Sequence, residues 1–335
     1  MNFRLLFILL VFSATCFAQD AETLQATGKE FMKQGDYDNA VLVLGKAAIM
    51  APENIEITKD LLFANYLKRD FAKAMEIGKP LVEGPNADVP SIQLMGMVYK
   101  AIAEDSEAEK LYKIGLKKFP DEGVLYSEYG DLLAAKNPEG ALKLWEKGIE
   151  QDPNHSNNYY FVSRQYAEKG DALWSILYGE MFLNMESFTA RSTEMKNMLL
   201  EQYKKFYSGG VANAVSDKKS AKGFSFAVAD VLMNQQSQLS KGITPETLVV
   251  IRTRFILDWY NKYSDKYPFR LFDHQRQLLQ EGFFEAYNFW LFGPAANLST
   301  YQTWQQYHQE ELNSFLGFIR SKVFKVPEGQ QYKAM

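Results

Sequence analysis

The stretch GDYDNAVLVLGKAAIMAP, residues 35–52, spreads Gly35, Tyr37, Ala40, Leu44, Ala47 and Pro52 at even intervals. Taken alone it is an alanine-rich helix. Repeated at a fixed period it becomes one unit of an array, and that decides the fold.

The spacing recurs every 34 residues. Counting from Ala21 as position 1, Gly28 falls at 8, Phe31 at 11, Gly35 at 15, Tyr37 at 17, Ala40 at 20, Leu44 at 24, Ala47 at 27 and Pro52 at 32. Counting from Val89, Gly96, Tyr99, Ala108, Tyr112, Gly115 and Pro120 occupy 8, 11, 20, 24, 27 and 32. From Ser156, Ser163 is at 8, Tyr166 at 11, Gly170 at 15, Ser175 at 20 and Gly179 at 24. Two units are degenerate. From Ile55, Phe71 and Ala74 keep 17 and 20, but Leu62 replaces the small residue at 8. From Gly123, Gly130 is at 8, and after a turn one residue shorter Ala141, Trp145, Gly148 and Pro153 resume the frame.

Each unit reads as two antiparallel helices. Small residues at 8, 20 and 27 allow close approach, bulky ones at 4, 11, 17 and 24 fill the space between, and the proline stops the second helix because it has no N–H to give. One pair cannot bury its apolar face alone, so neighbours stack. These positions are core, and none is a site candidate.

The pattern over about residues 21–187 resembles the tetratricopeptide repeat (TPR) family. The family's first-helix tryptophan is absent, its place taken by Leu24, Thr58, Ile92, Tyr126 and Tyr159. The resemblance implies an all-α, right-handed solenoid whose concave groove, lined by the first helix of each pair, grips a peptide or another protein. It places Lys29, Lys33, Phe63, Tyr66, Met97, Lys100, Asp131, Tyr160 and Arg164 in that groove. Aromatics and methionine among cations suit an extended segment with apolar anchors and some acidic character. The family's clamp of Lys and Asn for carboxylate tails is not reproduced.

The first twenty residues, MNFRLLFILLVFSATCFAQD, have Arg4, then an apolar run from Leu5 to Phe12, then small residues up to Ala18. This is the layout of a signal peptide, expected to be cut after Ala18. The apolar run is far short of the roughly 20 residues a membrane span needs. Cys16 is the only cysteine. A bacterial lipoprotein signal would carry leucine three residues before it and a very small residue just before it. Ser13 and Thr15 stand there instead, so simple cleavage is expected, with a lipid anchor through Cys16 as the alternative. Removal of Cys16 leaves no thiol for a disulfide, a nucleophile or a metal site. An exported, periplasmic protein is the expectation, secretion a further one. The net charge of −4 and the lack of any basic stripe argue against nucleic acid as a partner.

The stretch ESFTARSTEMKNMLLEQYKKFYSGG, from Glu186, reads as a helix capping the solenoid, which is expected over 19–207, and 208–223 reads as a linker. The remaining 224–335 read as an aromatic-rich helical domain with no strand alternation. Thr244 and Pro245 open one of its helices, and a Ser299-to-Gln302 capping box opens another that carries Tyr301, Trp304, His308, Leu312, Phe315 and Ile319 on one face. Gly282, Phe284, Ala286, Trp290 and Gly293 echo the turn and second helix of a repeat.

The chemistry-bearing residues are sparse. His155, His274 and His308 are the only histidines, and the His308–Glu311 spacing lacks the second pair that helical metal sites use. No phosphate loop or nucleophile motif occurs, so no cofactor, metal or catalytic residue is expected. The expectation is a non-enzymatic interaction scaffold of the cell envelope. The alternative is a small apolar or sugar ligand, or catalysis, in the aromatic-rich domain. Convergent polar groups around His274 and Glu285 would mark that alternative.

Overall fold

The structure, a computed structural model, describes residues 20–210 and 223–332. The expected signal peptide with Cys16, and most of the expected linker, lie outside the described residues. Among the described residues there are seventeen α-helices and no strand.

The first ten helices form five pairs in the frame the spacing predicts. They are α1 (residues 20–34) with α2 (Tyr37–Met50), α3 (Ile55–Lys68) with α4 (Phe71–Glu83), and α5 (Val89–Ala101) with α6 (Asp105–Lys118). Then come α7 (Gly123–Leu133) with α8 (Pro138–Gln151), and α9 (Ser156–Glu168) with α10 (Ala172–Met185). The fold is TPR-like. The chain divides into two compact units, one ending at Pro120 and one beginning at Asp121.

Local chemistry sets each turn. Asp36, Asp70, Asn137 and Asp171 stand one residue ahead of α2, α4, α8 and α10. Each accepts the N–H of the third helical residue, at 3.2, 3.1, 2.9 and 3.2 Å. Position 15 is left-handed in four pairs: Gly35 has φ 78°, Arg69 67°, Ala103 59° and Gly170 78°. Glycine takes this conformation freely, whereas Arg69 and Ala103 are strained there. The fourth pair, one residue shorter, has no such turn.

Positions 8 and 24 prove to be reciprocal. A Cβ on Gly28 would lie 2.5 Å from Leu44, one on Gly96 2.2 Å from the Tyr112 hydroxyl, and one on Gly130 2.1 Å from the Trp145 indole nitrogen. The second pair reverses the sizes, since Leu62 at position 8 fills the space above Gly78 at position 24, where an added Cβ would be 2.7 Å away. Its apparent degeneracy is a swap of large for small, which conserves packed volume. In the fifth pair both members are small, and Met195 from the next helix lies within 2.9 Å of the Cβ position on Gly179.

The second unit continues with α11 (Ala190–Lys205), a π-turn at Phe206–Gly210, α12 (Phe224–Met233), a short 3₁₀ turn at Gln236–Leu239, and α13 (Pro245–Lys262). It ends with α14 (Arg270–Gln280), α15 (Phe284–Ala296), α16 (Leu298–Tyr307) and α17 (Gln309–Ser321). Thr244 caps α13 as expected. Gly282 repeats the left-handed turn at φ 79°, and Gly293 gives Tyr301 room to approach, so α14 and α15 do echo a repeat pair. Two readings are corrected. The cap of α16 is Asn297, not Ser299: its side chain accepts the Thr300 N–H at 3.0 Å, so the helix begins one residue before Ser299. The face drawn from Tyr301 to Ile319 is also not one continuous helix. The backbone breaks at His308 (φ −119°, ψ 27°), where the ring stacks on Trp304 at 4.6 Å and Nδ1 meets Glu311 at 3.2 Å.

One apolar core runs through this unit from Ala141 to Val326, and α10 is buried along almost its whole length. A helix apolar all round belongs at the centre of a fold.

Candidate functional site

The expected groove residues divide between the two units. In the first, Lys29 on α1 pairs with Asp60 on α3 at 3.0 Å, and Asp60 also accepts from Gln25 at 2.5 Å. Lys33 pairs with Glu30 on its own helix at 3.4 Å. Phe63 and Tyr66 are half-buried and stack on one another at 6.2 Å, with Phe71 against Tyr66 at 5.9 Å. Met97 and Lys100 are half-buried on α5. On α3, Lys59 is nearly buried. Burial disfavours its charge, but hydrogen bonds to Glu56 and Asp88 outweigh that and raise its pKa above the ordinary value. Adjacent first helices are thus joined by ion pairs, and the aromatic pair on α3 leans on Phe71 of α4.

In the second unit, Asp131 on α7 and Arg164 on α9 line one cavity of about 320 Å³ with Ala134, Trp145, Phe161 and Glu168. Trp145 and Phe161 stack at 5.0 Å and form its apolar part. Tyr160 does not present itself beside them, being only 5% exposed. Its hydroxyl donates to Glu194 at 2.9 Å and accepts from Arg164 at 3.0 Å, while the Arg164 and Arg191 guanidiniums lie over its ring at 5.4 and 5.0 Å. The cause is α11, which packs on α10 and brings Glu194 and Arg191 against Tyr160. Tyr160 therefore positions Arg164.

His274 and Glu285 do not converge. Glu285 is exposed. His274 is buried edge-on to Tyr287 and Phe324, and burial, with Arg270 and Lys322 nearby, pushes its pKa down to about 3. It is a neutral, packed imidazole. Among the described residues no group of three His, Cys, Asp or Glu side chains is placed to hold a metal, and no helix is long and apolar enough to cross a membrane.

A buried polar cluster elsewhere escaped the sequence reading. Glu180 on α10 accepts from Tyr287 at 2.8 Å, from Gln275 at 2.6 Å and from Arg252. Arg252 also donates to Asn288, whose amide donates to the Phe284 carbonyl at 2.6 Å. Four rings surround the guanidinium: Phe292 at 5.2 Å, Tyr287 at 5.4 Å, Phe284 at 5.6 Å and Tyr203 at 6.0 Å. Burial disfavours the Arg252 cation, but the Glu180 carboxylate holds its pKa above the ordinary arginine value. Tyr287, Gln275 and Arg252 all donate to Glu180, and Arg252 donates to Asn288 as well, so the arrangement locks α10, α13, α14 and α15 together. The sequence did carry a signal, since Glu180 is the only charged residue in α10.

A second cavity, of about 260 Å³, opens between α11, α13, α15 and α16. Leu200, Ile243, Phe289 and Tyr301 form its apolar wall, with Lys204, Glu246 and Thr300 at polar positions.

No family model matches the chain, and no curated protein does. Among solved structures, the chain is similar to a tetratricopeptide repeat protein from Parabacteroides merdae ATCC 43184. That similarity has 14% identity and a TM-score of 0.43, and it covers 76% of this chain and 97% of that one.

Proposed function

We propose that this protein is a non-enzymatic scaffold of the cell envelope that holds an extended segment of a protein partner against the first helices of its repeats. The observation that carries the reading is the cavity shared by Asp131 and Arg164, in which a stacked aromatic pair lies between charged groups on two successive first helices. Such a site takes one bulky apolar side chain and orients the flanking polar ones. Phe63, Tyr66 and Met97 would offer apolar anchors of the same kind in the first unit. Export follows from the leader-like residues 1–18, and sequencing the exported form from its N-terminus should begin at Gln19.

The test is in-cell photo-cross-linking from position 164, with position 147 on α8 as a control. A partner captured from 164 and not from 147, and lost on Phe161→Ala, supports the reading. Equal capture from both positions sinks it.

The 260 Å³ cavity favours one second reading, a small apolar ligand held by the C-terminal helices. A sugar fits less well, because Phe289, one of the two rings in the wall, is already stacked on Trp304 at 4.2 Å. A library of apolar ligands that leaves the melting temperature unchanged would remove this reading.

A further inference from the structure

After α17 the chain leaves helical conformation, and residues 322–332 lie as a strap across the second unit. Phe324 and Val326 point inward, at 7% and 3% exposure, while Val323 and Lys325 point out. This is the alternation of an extended strand, yet no strand or helix backbone receives it. Side chains read its main chain instead. The Asn154 amide donates to the Val326 carbonyl at 3.2 Å and accepts the Val326 N–H at 2.9 Å, satisfying both backbone groups of one residue. Arg270 Nε donates to the Lys325 carbonyl at 3.0 Å, and the Tyr178 hydroxyl to the Tyr332 carbonyl at 2.6 Å.

The side-chain seats are equally defined. Phe324 packs between His274, edge-on at 5.2 Å, and the Arg270 guanidinium at 4.9 Å. The Tyr332 ring lies flat on Phe224 at 3.9 Å, and its hydroxyl donates to the Pro268 carbonyl at 3.0 Å. Backbone bonds with pockets for alternate side chains are how proteins bind extended peptides.

The fit is incomplete. His274 Nε2, Gln330 Oε1 and Gln331 Nε2 are buried without partners, three of the eight such side-chain atoms among the described residues. Unpaired buried polar atoms penalise the seated state and favour exchange of the occupant.

We propose that Asn154, Tyr178, Phe224 and Arg270 form a second docking groove, distinct from the repeat face, which the strap fills in cis. In trans the groove takes an extended protein segment of the same chemistry: an aromatic residue, any residue, a branched aliphatic residue, then proline, as in Phe324–Pro327.

A fluorescent synthetic peptide with the sequence of residues 322–335 is the probe, read by anisotropy against the full chain. The strap competes at an effective concentration in the millimolar range, so the unaltered chain binds the probe weakly. Phe324→Ala with Val326→Ala in the chain weakens the competitor and raises probe affinity about tenfold or more. Adding Asn154→Ala to that double variant returns the affinity by a similar factor, and a probe lacking the phenylalanine fails to bind. No binding by a double variant that keeps its helical circular dichroism overturns the proposal. Native-state hydrogen exchange on the unaltered chain tests it without any substitution. The Val326 amide should exchange far faster than the amides of α10, and equal protection overturns the proposal as well.

Discussion

The two units use one helix-pair grammar to build different cores. Up to Pro120 the apolar interior includes small packets, one of Ala21, Ala47 and Ile57 and another of Ala40, Leu44 and Ala64. From Asp121 onward one large core takes in parts of repeats four and five and most of the later helices, and it encloses an ion pair. The first kind of core is a sum of neighbour contacts, each local in sequence. The second depends on contacts far apart in the chain, such as Glu180 with Tyr287, 107 residues away. Damage should therefore stay local in the first unit and spread in the second. All five tryptophans lie in the second unit, so their fluorescence reports on it selectively.

The sharpest way to break this contrast is Arg252→Met. It leaves the Glu180 carboxylate buried and unpaired, at an expected cost of about 3–5 kcal/mol read by tryptophan fluorescence in urea. Glu180→Leu combined with Arg252→Met should recover most of that loss. A single variant that unfolds at the wild-type urea midpoint would show that the ion pair holds nothing together.

Gly96→Ala in the first unit comes next, at about 1–3 kcal/mol, because its Cβ would meet the Tyr112 ring. Gly78→Ala should cost less, since it meets the flexible ends of Leu62 and Met95. Equal costs in denaturant titrations would contradict the reciprocal packing.

Smaller, and of opposite sign, is Ala103→Gly. Relieving the left-handed strain should stabilise the first unit by about 1 kcal/mol in the same titration, whereas Gly35→Ala should do the reverse. Destabilisation by Ala103→Gly would show that the turn carries no strain.

The last prediction is a slope with pH. Lys196 is desolvated, which lowers its pKa from the ordinary 10.5 to about 7, although the face of Trp290 3.6 Å away favours its charge. Between pH 7 and 10.5 the unfolded chain holds a proton that the folded chain has released, so stability of the second unit climbs over that window. Lys196→Met should flatten the climb in melts followed from pH 6 to 10. An unchanged slope would assign it to another group.

The repeat frame was legible because its signals are local. Gly28, Gly96 and Gly130 mark close helix approach within some sixteen residues of the partner they admit. Leu62 looked like a departure only while position 8 was read without position 24. The start of α16 was misplaced because Asn297 and Ser299 are both good caps, and the Thr300 N–H went to Asn297. The Glu180–Arg252 contact, 72 residues apart, has no periodicity to betray it. Among the residues expected in a groove, Asp131 and Arg164 line one cavity, as their shared place in the frame would suggest. The burial of Tyr160 does not follow from the frame, because Arg191 and Glu194 reach it from α11, outside its own repeat.

The reciprocity of positions 8 and 24 bears on how such a chain can be cut and rejoined. A first helix carrying Leu62 would collide with a second helix carrying Tyr112, and one carrying Gly96 would leave a hole beside Gly78. Within the first unit, then, the module that can be duplicated, deleted or transplanted is the whole hairpin. Crossovers should be tolerated in the joints that follow the second helices, at Pro52 or Asn86, and rejected inside the tight turns at Gly35, Arg69 and Ala103.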